Sequence, residues 1–187
     1  MIERHALHQK ANGHEAEWCG GRQRGLWITW EVQRRTTELA DRLEIPLVRL
    51  LHNGPRWRRY LVLCVATIPE LVSSRPELLV VQNASLILTA LVAVLRPVFG
   101  YGLIVDRHTN FMLSKPRSLK KSIFTLISDF TLRQADLTIV TNEFLADLVR
   151  AKGGRAVVLQ DPMPRLNSGR SAPAAPKDKQ APKLGFF

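Results

Sequence analysis

From Leu26 onward, short β-prone apolar runs alternate with stretches in which apolar residues recur at helical intervals. Leu26-Trp27-Ile28-Thr29-Trp30 reads as a strand, and the spacing of Val32, Leu39 and Leu43 among charged residues predicts a helix that buries one side. Pro46 to Leu51 is the next strand, closed by the turn cluster His52-Asn53-Gly54-Pro55. Tyr60, Leu61, Leu63, Cys64, Ile68, Leu71 and Val72 then mark a helix over Trp57 to Ser74, with Pro69 expected to kink or interrupt it. The alternation continues with strand Leu78 to Val81, helix Ala84 to Leu95, strand Gly102 to Val105 and a polar loop from His108 to Arg117. Helix Leu119 to Gln134, strand Leu137 to Val140, helix Asn142 to Ala151 stopping at Gly153-Gly154, and strand Ala156 to Leu159 complete it.

Six short strands separated by helices, the central ones apolar on both faces, predict an α/β fold: a doubly wound, mostly parallel, Rossmann-like sheet. Such a sheet binds ligands beyond the C-terminal ends of its strands. The segments to search for chemistry are therefore Trp30-Glu31, His52-Asn53, Gln82-Asn83, Asp106-Arg107-His108 and Thr141-Asn142-Glu143. Residues 1–25 lack any sustained hydrophobic period and read as a mobile polar arm, with order beginning at Leu26. The domain extends over 26–164. Beyond Pro164 the chain turns to Ser, Ala, Pro, Lys and Gln, so 165–187 reads as a linker or tail, its final Leu184-Gly-Phe-Phe187 resembling the approach to a further domain.

Composition narrows the function classes. The 27 Lys and Arg against 16 Asp and Glu give a net charge of +11, which favours anionic partners such as phosphates or acidic lipid head groups. Cys19 and Cys64 show no metal-ligand spacing and suit a reducing compartment, with Cys64 in the core. The opening residues carry no secretory h-region, and Ala84 to Leu95 falls short of the roughly 20 apolar residues that span a bilayer. The expected location is cytoplasmic, peripheral on the inner membrane face if the basic clusters meet lipid. Glu-Val-Gln-Arg-Arg after Trp30 is neither a dinucleotide fingerprint nor a Walker loop, and no Gly-x-Ser-x-Gly elbow occurs. No cofactor and no metal are expected.

Asp106 and His108, with Arg107 between them, are the catalytic candidates, because an imidazole or carboxylate at a strand end can take the proton of an attacking hydroxyl. The competing reading is a solvated loop in which Asp106 only caps its neighbours. Arg34 and Arg35 open the first helix, where phosphates approach strand–helix turns, though such a pair is also common on a wet helix face. Arg56, Trp57, Arg58 and Arg59, and then Lys115, Arg117, Lys120 and Lys121, form two basic clusters beside apolar residues, suited to an acidic membrane surface or to a solvated face. Nucleic acid is not the expected partner, for lack of a reading motif.

Trp27-Ile-Thr-Trp-Glu-Val-Gln-Arg-Arg-Thr36, Arg75 to Asn83, Asp106-Arg-His108, Ala135 to Glu143 and the Asp161-Pro-Met-Pro164 exit together resemble the N-terminal domain of family 4-like GT-B glycosyltransferases. The resemblance spans Leu26 to Pro164 and is most specific from Ala135 onward. It implies sugar transfer from a nucleotide-sugar donor without a metal, this half holding a hydroxyl or polyprenyl-phosphate acceptor and a missing or separate C-terminal domain holding most of the donor. By position, it assigns His108 and Asp106 to acceptor-side catalysis. Glu31, Arg34, Arg35, Asn83, Arg107, Asn142 and Glu143 are the acceptor-binding candidates. Without the second half the chain is expected to be inactive alone. The alternative is a non-catalytic module that pairs with a donor-binding chain, and a third reading is a degenerate fragment.

Overall fold

A computed structural model describes residues 24–83, 85–108 and 118–161 in full and residues 2–7 as backbone. Seven strands form one sheet in the order β1-β3-β2-β4-β5-β6-β7. These are β1 (Ile2–Leu7), β2 (Gly25–Thr29), β3 (Leu47–His52), β4 (Leu78–Gln82), β5 (Gly102–Asp106), β6 (Leu137–Val140) and β7 (Ala156–Val158). Strands β2 to β7 are mutually parallel. The helices between them are α1 (Arg34–Arg42), α2 (Arg56–Ser74), α3 (Leu86–Phe99), α4 (Leu119–Gln134) and α5 (Glu143–Ala151). The doubly wound α/β fold expected from the sequence is present.

One difference concerns the amino-terminal residues. Order was expected from Leu26, yet Ile2–Leu7 pairs antiparallel with β3, from Ile2 opposite His52 to Leu7 opposite Leu47. An edge strand of this kind is held by a backbone ladder to a distant partner, which leaves no hydrophobic period for a sequence reading to detect. The expected linker, 165–187, lies outside the described residues.

Pro69, expected to kink or interrupt its helix, and Pro97, two residues past the expected helix end at Leu95, both lie inside helices. Pro69 sits inside α2 on an exposed turn, where the carbonyl it frees, that of exposed Val65, can be hydrated. Pro97 falls in the last turn of α3, which runs on to Phe99 and stops where Gly100 takes the left-handed conformation (φ 69°).

Alternation along the strands divides the core. Leu26, Ile28, Leu79, Val81, Leu103 and Val105 pack under α2 and α3. Val105 lies beside Thr138, and Thr138 beside Ala156, so Val140, Ala156 and Val158 share that face and pack under α4 and α5. The opposite face carries Trp27, Leu47 and Val80, covered by Leu39 and Ala40 of α1. Four helices thus lie on one side and α1 on the other, as right-handed crossovers require when β3 is placed to one side of β2 and β4 to the other.

The α5–β7 corner depends on close approach. A Cβ on Gly154 would lie 2.8 Å from Val149 Cγ1 and 3.0 Å from the Leu132 carbonyl oxygen. Val149 is fully buried and its stiff β-branched side chain has nowhere to turn. Gly154→Ala is expected to destabilise the domain by about 1–3 kcal/mol through overpacking, read as a lower urea midpoint at unchanged m-value.

Candidate functional site

The order of strands reverses between β2 and β4, and the crevice at such a switch point, beyond the carboxyl ends, is where doubly wound sheets take ligands. A chain of polar groups crosses it. The Thr29 hydroxyl donates to Gln82 Oε1 (2.9 Å), Gln82 Nε2 donates to Gln33 Oε1, and Gln33 Nε2 donates to Glu31 Oε2 (3.3 Å). Each amide is oriented by its neighbour, so the chain ends on a carboxylate held at the mouth of the crevice. Gln82 is the one polar residue of the run Leu-Leu-Val-Val-Gln, and it falls on the face opposite the α2–α3 core.

Beside it, Asp106 closes β5 and is fully buried. Arg35 of α1, 6% exposed, forks onto it: Nε donates to Oδ1 (3.2 Å) and Oδ2 (3.3 Å), and Nη2 to Oδ1 (3.2 Å). The same guanidinium donates to the Leu159 carbonyl (2.9 Å) and pairs with Asp161. Arg35 therefore ties the segment leaving β7 to the centre of the sheet. Burial pushes the Asp106 carboxyl above the ordinary aspartate range, against the pull of Arg35 and His108 and with a further push from Asp161.

His108 lies two residues on, 17% exposed, its Nδ1 3.9 Å from Asp106 Oδ2. That is ion-pair range and too long for a hydrogen bond, and Nδ1 has no hydrogen-bond partner among the described residues. Between the two, Arg107 points away into the α4 layer, 1% exposed, with Nη2 donating to Ser128 Oγ (2.8 Å) and its backbone N–H to the Ile139 carbonyl (2.8 Å). Burial lowers its pKa to about 10, with Asp129 opposing. Arg107 anchors the strand end that carries His108.

The structure gathers Arg35 and His108 around Asp106, and links Glu31 to the neighbouring strand end through Gln33 and Gln82. Asn83 is buried beside them, its backbone N–H donating to the Asp106 carbonyl (2.9 Å) and its Oδ1 accepting from Thr89 Oγ1 (2.8 Å). Arg34 turns outward to Glu38 (3.0 Å). Asn142 caps α5, accepting from the Leu145 N–H (2.9 Å), and Glu143 pairs with Arg150 in solvent (3.2 Å). Arg56, Trp57, Arg58 and Arg59 stand at the exposed start of α2, Arg59 over the Tyr60 ring at 5.2 Å, and Lys120 and Lys121 at that of α4. Lys115 and Arg117 lie outside the described residues. Gln33 and Asp161 were not singled out from the sequence. Gln33 carried one available signal, a polar residue where nucleotide-binding relatives of the fold place a glycine turn; Asp161 carried none beyond its place in the Asp-Pro exit.

The described residues hold no group of three or more His, Cys, Asp and Glu able to bind a metal ion. A family model for a glycosyl transferase 4-like domain matches residues 2–160. No curated protein matches the chain.

Proposed function

The chain belongs to the glycosyl transferase 4-like family, and on that premise we propose that the crevice beyond the carboxyl ends of β2, β4 and β5 receives the hydroxyl acceptor of a sugar transfer. What supports this is the position of Glu31 just past the carboxyl end of β2, and of Asp106 and His108 at that of β5, on either side of β4 at the switch point, with Asp106 and His108 in ion-pair range. His108 is positioned to take the acceptor proton. The acceptor oxygen then bonds to the anomeric carbon of a nucleotide sugar, and the bond from that carbon to the nucleotide phosphate breaks, leaving the nucleotide with the electron pair. Asp106, in ion-pair range at 3.9 Å from Nδ1, balances the charge of the imidazolium that forms. Glu31, oriented by Gln33, accepts from a neighbouring hydroxyl of the acceptor. The nucleotide sugar is contacted mainly by a second domain or chain.

Calorimetry with a panel of nucleotide sugars and with a polyprenyl-phosphate analogue tests the division of labour. Acceptor binding that weakens in Glu31→Gln, with little heat from nucleotide sugars alone, is the expected result. Tight binding of a nucleotide sugar without acceptor binding would reverse the assignment of the two halves.

A further inference from the structure

The helix layer over α2, α3 and α4 is apolar on its outer side as well as its inner one. On α4, Leu119, Ile123, Leu126 and Phe130 recur at three- and four-residue intervals, and all are exposed, Leu126 by 72%. This stripe points away from Ser128, Thr131 and Leu132, which α4 buries. On the packed neighbour α3, Ile87, Val94 and Val98 are exposed, Val98 by 77%, and Arg96 is the one charged residue of that helix. A third stripe, Trp57-Leu61-Val65-Ile68-Val72, runs along α2 at the same spacing. Exposed leucines and valines scattered singly need no explanation, but aligned stripes on adjacent helices mark an interaction surface.

Charge selects the occupant. Within α2, α3 and α4 the acidic residues are Glu70, buried, and Asp129, which is paired with Lys152 (2.5 Å). The basic ones are Arg56, Arg58, Arg59, Arg96, Lys120, Lys121 and Arg133. Five of these seven cluster at the first turns of α2 and α4. Because each helix starts where its preceding strand ends, those turns lie at the same end of the sheet as His108 and Glu31.

We infer that the outer face of α3 and α4, flanked by α2, seats the protein on an acidic lipid bilayer. The apolar stripes enter the head-group boundary, and the basic first turns meet anionic phosphates beside the crevice. No described helix is long and apolar enough to cross a membrane. Contact is in the plane, with each helix keeping its inner face in the core. The inference stands on the helix surface and does not require the sugar-transfer reading, though it would bring a lipid-linked acceptor to the mouth of the site.

Vesicle cosedimentation of the full chain is the test. Phosphatidylglycerol-containing vesicles should bind the wild type, with weaker binding as salt is raised, and phosphatidylcholine vesicles should bind far less. Val94→Gln with Leu126→Gln should lower the partition constant roughly tenfold or more while leaving the thermal midpoint unchanged, since both side chains are exposed. Lys120→Glu with Lys121→Glu should weaken binding mainly at low salt. Absence of binding to acidic vesicles, equal binding to neutral ones, or full binding by the glutamine variant would overturn the inference. So would a wild-type dimer in ultracentrifugation that the glutamine variant dissolves without any vesicle binding, because the face would then be covered by a second copy. Calorimetry with a water-soluble acceptor is indifferent to all these outcomes, so failure here and failure of the proposed function can be told apart.

Discussion

Arg35→Met is expected to destabilise the domain by about 3–5 kcal/mol near neutral pH, the usual cost of stripping one partner from a buried ion pair. Asp106 is wholly buried and the guanidinium is its principal compensation, with donors at 3.2 and 3.3 Å. The pair itself need contribute little net stability, because desolvating both charges offsets most of their attraction. The pH dependence separates these two statements. Burial has already raised the Asp106 pKa, so the folded protein holds that proton more tightly than the unfolded chain. The resulting stabilisation is full below the ordinary aspartate pKa and is lost as pH rises through the raised folded value. Without Arg35 the pKa climbs further, so the penalty of Arg35→Met should be smallest in acid and grow toward neutrality. Adding Asp106→Asn should restore a large part of the loss at neutral pH, and the remainder belongs to the contacts with Asp161 and the Leu159 carbonyl. Urea titrations at a series of pH values measure all three variants. A cost below about 1 kcal/mol, or one that does not change with pH, would show that water or another cation replaces the guanidinium.

The same residue shows where sequence reading stops. Arg34 and Arg35 are chemically identical and adjacent, and both read equally well as anion binders or as a wet helix face. A turn of about 100° per residue sends Arg34 outward to Glu38 and Arg35 inward to Asp106. Asp106 is 71 positions away in the chain, a separation over which no local pattern operates. By contrast α4 and β6 have the limits read from hydropathy, Leu119–Gln134 and Leu137–Val140. There a strand apolar but for Thr138 and a capped helix carry their own boundaries, the cap being Ser118 accepting from the Lys121 N–H. Gln82 lies between these cases. It was legible as a strand end, but its partnership with Thr29 and Gln33 follows only from β2 and β4 being neighbours, which is a property of topology.

His108→Ala is expected to lower the turnover of sugar transfer by about 10²–10⁴-fold, the range in which a positioned general base acts, when the donor-binding half is supplied in the same chain or as a partner. The side chain is little exposed yet makes no hydrogen bond through Nδ1 among the described residues, so its removal should shift stability by less than about 1 kcal/mol. Loss of activity would then be chemical in origin. The split between kinetic parameters decides the role. A fall in kcat with an unchanged acceptor KM marks an interaction made in the transition state, whereas a raised KM at preserved kcat would reduce His108 to an acceptor-binding group. Asp106→Asn should also lower kcat, because a neutral amide 3.9 Å from Nδ1 cannot balance the imidazolium. That variant keeps an oxygen for Arg35, so a loss of activity exceeding its loss of stability would locate the Asp106 effect at the histidine. Equal activity in Asp106→Asn and wild type would instead leave Asp106 a structural anchor of α1 and the β7 exit, with His108 acting alone.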